Sequence, residues 1–183
     1  WMSVIIIVLP KLDNAKNIKR ILLTHGFQSA FACSSGASAL QMAGQYECGI
    51  VLSGYHLSDM YYVELMENLP ESYELVLLGS PEKVADAGSG TLALTTPLKA
   101  YDLLNTVEMV LGQIEHRYRK RKVIKKRSEK EENYILNAKY LLMERNHLTE
   151  QEAYRYLQKS SMDNGTNMVE TAQKVLMLMF DEI

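Results

Sequence analysis

The side chains that could do chemistry at a strand end sit in the stretch IVLSGYHLSDM, residues 50–60. An apolar run breaks at Ser53-Gly54-Tyr55, and His56, Ser58 and Asp59 follow around Leu57. A carboxylate at the apex of such a loop could hold a divalent cation or accept a phosphoryl group. The apex carries none. Ser53 is a poor substitute, and Asp59 stands where it would cap the next helix. His25, His56, His116 and His147 are scattered, and neither they nor Cys33 and Cys48 show metal-ligand spacing. The segment LPKLDNAK after the first apolar run lacks the glycines of a phosphate-cradling loop, which argues against a flavin mononucleotide site. No nucleophile–base pair or carboxylate pair stands at a strand end. No metal, cofactor or enzymatic activity is expected; binding is.

Charge indicates where the binding lies. Residues 1–97 hold 5 Lys or Arg against 9 Asp or Glu, and residues 98–183 hold 15 against 13. Eight of those fifteen bases fall in RYRKRKVIKKR, residues 117–127. The two parts of the chain are expected to meet different partners. A basic run invites contact with nucleic acid, because each neutralised phosphate releases counterions. The SEKEE that follows is equally consistent with a solvated helix face.

The elements that must position these residues are readable from two periods. SVIIIVL (3–9), FQSAFAC (27–33), GIVLSG (49–54), YELVLLG (73–79) and TLALTT (91–96) read as strands. Helices are expected between them, the first capped by Asp13 and stopped by Gly26. Five β/α units imply a doubly wound α/β fold with a parallel sheet. From Leu98 the pattern changes, and no Gly or Pro occurs between Gln113 and Asn164. One long helix is expected from about 99 to 146. Val107, Leu111, Ile114 and Tyr118 follow 4-3-4 spacing and are expected to form the seam of a homodimeric coiled coil, the alternative being a lone helix packed on its own domain. Two short helices follow. Thr149 and Glu152 form a capping box, with Leu148 and Ala153 as its staple. Ala153, Tyr156, Leu157 and Ser160 line one face of the first; Val169, Ala172, Leu176 and Phe180 line one face of the second.

No apolar run approaches the ~20 residues that span a bilayer, so no membrane partner is expected. The opening MSVIIIVLP lacks a basic segment and a cleavage site and reads as a buried strand. Trp1 ahead of Met2 reads as a cloning remnant. Two cysteines without a disulfide pattern fit a reducing, cytoplasmic setting.

Residues 2–97 resemble a receiver domain of the response-regulator family, most closely at GYHLSDM, which resembles the DxxLPDM form of the phosphoacceptor loop. The resemblance implies a flavodoxin-like fold and a place in a two-component system. It also implies a phosphorylation site, and that site is degenerate. Leu9-Pro10 stands where the acid pair belongs, and Gly54 stands at the phosphoacceptor. Gly79, followed by Ser80, stands at the switch hydroxyl, and Thr96 stands at the lysine before Pro97. No charge remains to hold Mg²⁺, so a pseudo-receiver is expected. A sensor protein or small ligand at the vacant pocket would then control it, or activity would be constitutive.

The segment 135–163 resembles the ANTAR domain of transcription antitermination regulators. That pattern is carried by Ala138, Lys139, Leu142, Met143 and Arg145, then Leu148, Thr149, Ala153 and Tyr154, then Leu157, Ser161 and Met162. The resemblance implies a three-helix RNA-binding unit at 131–183, joined to the receiver by a coiled-coil helix at 98–130. It implies recognition of paired hairpins in nascent leader RNA, which keeps an overlapping terminator from forming. Candidate RNA contacts are Lys139, Arg145, Tyr154, Arg155, Gln158, Lys159, Ser161 and Asn164. Lys139 and Lys159 would meet phosphates, Tyr154 would stack on a base, and Gln158 and Ser161 would read base edges. Two other classes stay open: a DNA-binding response regulator, and an interaction adaptor without nucleic acid. The apolar last helix, MVETAQKVLMLMF, offers only Gln173 and Lys174 to a major groove, which weighs against the first.

Overall fold

The computed structural model describes residues 3–180. Trp1, Met2, residues 181–183 and the side chain of Phe180 lie outside the described residues. The chain divides into two compact units between Arg119 and Lys120.

The first unit alternates strands and helices: β1 (Ser3–Val8), α1 (Leu12–Thr24), β2 (Ala30–Cys33), α2 (Gly36–Ala43), β3 (Cys48–Gly54), α3 (Tyr62–Asn68), β4 (Tyr73–Gly79), α4 (Pro81–Ala87) and β5 (Leu92–Thr95). The strands pair in the order β2-β1-β3-β4-β5, and every pairing is parallel. This is the flavodoxin-like order, with its switch point between β1 and β3.

The β-branched run of β1 shows why both faces are covered. Successive side chains in a strand point to opposite sides. Ile5 and Ile7 join Ile50, Leu52, Val76 and Leu78 under α1. Val4, Ile6 and Val8 join Val51, Leu75 and Leu77 against α2 and α3. The helices differ from the expected bounds at their starts. Lys11, not Asp13, stands at the N-cap of α1 and makes no side-chain cap; Asp13 lies inside the first turn, where it favours the helix dipole. Gly26 follows the helix at φ 95°, as a stop requires.

α5 (Ala100–Asn146) is one helix of 47 residues. Its first part belongs to the amino-terminal unit, on the same sheet face as α1. Leu103, Val107, Val110 and Ile114 are buried there, and Leu104, Leu111 and Tyr118 pack against them. The expected dimer seam is therefore corrected. Val107, Leu111, Ile114 and Tyr118 face the chain's own sheet, and no second copy is needed to cover them. A 4-3-4 apolar stripe is the same whether a helix lies on a helix or on a sheet. The expected boundary at 97 accordingly falls inside this unit. Further along, every residue from 119 to 133 is exposed, Val123 and Ile124 included.

The second unit contains the rest of α5, then α6 (Glu150–Asn164) and α7 (Met168–Phe180). The capping box forms in full: the Thr149 hydroxyl accepts from the Glu152 N–H, and the Glu152 carboxylate accepts from the Thr149 N–H at 2.8 Å. Gly165 ends α6 in the left-handed conformation, φ 63°. Asn167 Oδ1 accepts from the Glu170 N–H at 2.8 Å and caps α7. The core is small: Ala138, Leu142, Ala153, Leu157 and Ala172 are its buried members, with Ile135, Leu148, Met168, Val175, Leu176 and Met179 packed around them. The buried stripe of α6 runs through Ala153, Leu157 and Ser161, not Tyr156 or Ser160, of which Tyr156 is exposed.

Candidate functional site

The parallel sheet brings the ends of its strands to one rim. Val8 is paired with Ser53, Gly54 with Leu78, and Gly79 with Thr95. Thr96 donates its N–H to the Gly79 carbonyl at 2.8 Å, and the Thr96–Pro97 peptide is cis. Leu9, Pro10, Gly54, Gly79 and Thr96 thus gather where a phosphorylation site would be. A vacant pocket is not what they make. Gly54 is buried, and a Cβ added there would meet Pro10 Cδ at 3.2 Å and Leu9 Cδ2 at 3.4 Å, with Leu57 Cδ2 at 3.9 Å. Apolar side chains crowd the position that a Cβ would take.

The polar groups nearby are already engaged. The Ser53 hydroxyl donates to the Gly54 carbonyl at 2.9 Å. The Ser80 hydroxyl accepts from the Lys83 N–H and caps α4. Asp59 does not cap α3, which begins only at Tyr62 after a His56–Tyr61 bridge closes the loop. Its carboxylate instead accepts from the N–H groups of Gly36 at 2.7 Å and Ala37 at 2.9 Å, at the start of α2. Mg²⁺ needs several hard oxygen ligands at close to octahedral geometry. Leu9, Pro10 and Gly54 supply no carboxylate, so the residues present do not fit the ion. Among the described residues, no group of three or more His, Cys, Asp or Glu side chains is placed to hold a metal.

Asp59 carries a pH signature. The two backbone N–H bonds hold its carboxyl below the ordinary value of 3.8. Its contribution to stability is therefore complete above the unfolded value and is lost as pH falls through the lower folded value. Asp59→Asn is expected to lower the melting temperature at pH 7, with the gap to the wild type closing toward pH 3. A gap that stays constant across that range would show the carboxylate to be idle.

The loop after β3 is stapled to α4. The Tyr55 hydroxyl donates to Asp86 Oδ2 at 2.6 Å, a bond that holds the phenolic proton on and raises its pKa. The Tyr55 ring meets Tyr61 edge-on at 6.0 Å and Tyr62 at 5.3 Å, and His56 stacks on Tyr61 at 4.3 Å. Behind the rim, burial pushes the Cys33 thiol up to about 11, which leaves it un-ionised at neutral pH.

In the second unit the candidate RNA contacts fall into three groups. Lys139, Glu150 and Tyr154 come together: Lys139 Nζ lies 3.2 Å from Glu150 Oε1 and 6.0 Å from the Tyr154 ring centre. Tyr154, Arg155, Gln158 and Lys159 are all exposed on α6, two i,i+4 pairs on its solvent side; Arg145 is exposed in the last turn of α5. The remaining two are occupied locally. Ser161 is 6 % exposed and donates its hydroxyl to the Gln158 carbonyl at 2.8 Å, so its expected role at a base edge is corrected: it is a core residue that satisfies itself. Asn164 is exposed, but its amide donates back to the Ser160 carbonyl at 2.8 Å. Sequence reasoning missed Tyr140, 60 % exposed beside Lys139. Its sequence signal was an aromatic off the core stripe, two residues from both Ala138 and Leu142.

The amino-terminal unit has solved relatives in shape. The receiver domain of an HD domain-containing protein from Pseudomonas fluorescens Pf-5 is 23% identical, with a TM-score of 0.51 over 66% of this chain and 93% of that one. A CheY-like receiver from Methanospirillum hungatei JF-1 is 18% identical, TM-score 0.52, over 63% and 99%. A protein described as an adenylate cyclase from Rhodopirellula baltica is 17% identical, TM-score 0.59, over 68% and 98%. Likeness at such identities establishes the fold, which is that of a response-regulator receiver. No curated protein matches the chain. Residues 113–176 match the ANTAR domain model. The chain thus joins a receiver-fold unit to a segment that matches the ANTAR domain. Among the described residues, no helix is long and apolar enough to cross a membrane.

Proposed function

We propose that this chain is a cytoplasmic RNA-binding regulator of transcription antitermination whose receiver unit is not switched by phosphorylation. The ANTAR match over 113–176 carries the reading. The exposed face of α6 supports it. Tyr154, Arg155, Gln158 and Lys159 offer a ring, two cations and an amide, the parts that an RNA loop with splayed bases requires. By gripping paired hairpins in a leader transcript, the unit would keep an overlapping terminator from forming. The proposed organisation is a receiver-like segment at 2–97, a connecting helix at 98–130 and the RNA-binding unit at 131–183, with the first turns of the connecting helix serving the receiver core.

Control then falls to a protein partner at the receiver surface, or is absent. The rim at Gly54 is crowded by apolar side chains, so a partner would grip the outside, where the Tyr55, His56 and Tyr61 rings lie. A homodimer is part of the proposal, because two hairpins call for two RNA-binding units. The buried seam cannot supply it; Val123 and Ile124, 49% and 57% exposed in the bare stretch of α5, are the apolar residues there. Sedimentation velocity on Val123→Asp/Ile124→Asp should show more monomer than the wild type, and an unchanged profile would place the dimer elsewhere.

Lys139→Ala tests the RNA reading at one residue. Its Nζ is shared between Glu150 and the Tyr154 ring and would be recruited by a phosphate. Binding to a tandem-hairpin RNA should weaken by about tenfold, and the slope of log K against log salt should flatten by close to one ion. Equal affinity and an equal slope would remove Lys139 from the interface.

A further inference from the structure

A groove on the second unit is lined by Leu136, Lys139, Tyr140, Met143 and Glu150. Leu136, Tyr140 and Met143 are spaced 4-3 on α5; Met143 is half-buried and also packs against the core, while Leu136 and Tyr140 stand outside it. Tyr140 is 60% exposed and Leu136 43%. The groove borders an ion pair, Lys139 with Glu150 at 3.2 Å, and the Tyr154 ring centre lies 6.0 Å from the same ammonium.

We propose that this groove receives one unstacked base of the RNA. Tyr140 is its stacking platform, and Leu136 and Met143 are its walls. The Glu150 carboxylate accepts from the amino group of the base, and Lys139 meets the phosphate beside it. The inference rests on the RNA-binding reading and adds a site to it. Two features favour a base over a phosphate. The lining is mostly apolar, and a carboxylate that repels phosphate stands at the mouth. A base brings a flat π-face for the ring and an N–H₂ donor for the carboxylate. The cavity, about 60 Å³, admits the edge of a base rather than a whole nucleotide. An acceptor-only group favours cytosine, adenine or guanine, which present amino donors, over uracil.

The test uses the full chain and an RNA hairpin that the wild type selects from a loop-randomised pool. Each loop position is replaced in turn by an abasic nucleotide, and binding is measured for the wild type and for Tyr140→Ala. One position should weaken wild-type binding about tenfold or more. Tyr140→Ala should cause the same loss and be insensitive to that abasic change, while Tyr140→Phe keeps wild-type affinity. Glu150→Gln should narrow the preference for cytosine over uracil at that position. Because Tyr140 is exposed, all variants should keep the wild-type melting curve. Equal affinity of Tyr140→Ala and the wild type overturns the groove while leaving RNA binding intact. The same result with a lost dimer assigns the stripe to a second copy, and also overturns it. Failure to select any hairpin overturns the RNA reading and the groove with it.

Discussion

Leu142→Ala should unfold the carboxyl-terminal unit while the amino-terminal unit stays folded. Leu142 is 1% exposed in a core whose buried members are Ala138, Leu142, Ala153, Leu157 and Ala172. Three of these five are alanines, so Leu142 and Leu157 supply most of the buried apolar volume. Truncating a buried leucine costs about 2–5 kcal/mol, because the cavity collapses only in part. A helical unit of this size holds no more than about 3–5 kcal/mol in reserve. The substitution removes most or all of it. Leu52→Ala in β3 makes the same chemical change in a much larger core, on a sheet covered on both faces, and that unit should remain folded. Two-wavelength circular dichroism melts distinguish the cases: Leu142→Ala should lose an early helical transition and keep a later one. A single wild-type-like melt would show that the unit draws its stability from elsewhere.

Gly54→Asp should destabilise the receiver unit by about 3 kcal/mol and still accept no phosphoryl group. The Cβ alone would press on Pro10 Cδ and Leu9 Cδ2 at 3.2 and 3.4 Å. The carboxylate would extend from a position lined by Leu9, Pro10 and Leu57, apolar side chains that offer it no hydrogen bond. Gly54→Ala separates the two costs: it should lose about 1 kcal/mol, since only the contact changes. With acetyl phosphate and Mg²⁺, neither the wild type nor Gly54→Asp should incorporate label, because nothing at β1 would hold the ion. A labelled acyl phosphate on either protein would contradict the electrostatic argument directly.

The sheet was readable because its strands are covered on both sides and so appear as continuous apolar runs, β1 most clearly. The position of Asp59 was not. A helix capped by Asp59 agrees with capping preferences, and nothing local announces that a His56–Tyr61 bridge delays α3 to Tyr62. The carboxylate then reaches α2, 22 and 23 residues back in the chain. The length of α5 was readable from the missing Gly and Pro. Its partner was not, because the spacing of Val107, Leu111, Ile114 and Tyr118 reports that a stripe is buried and not what buries it. In α6 a one-residue shift moved the core from Ser160 to Ser161 and turned an expected RNA contact into packing. Tyr140 lies off the stripe of Ile135, Ala138 and Leu142, so its exposure was readable, but the spacing does not say what an exposed ring meets.

The central claim is that the carboxyl-terminal unit grips RNA loops and that no phosphoryl group governs it. Its most direct measurement is the affinity of the full chain for a tandem-hairpin RNA and for duplex DNA of equal length. Both are titrated across a salt series, with and without acetyl phosphate and Mg²⁺. The account predicts tighter binding to the hairpins at every salt concentration and one binding curve whether or not the phosphodonor is present. Preference for the duplex, or a hairpin affinity that rises with the phosphodonor, would contradict it.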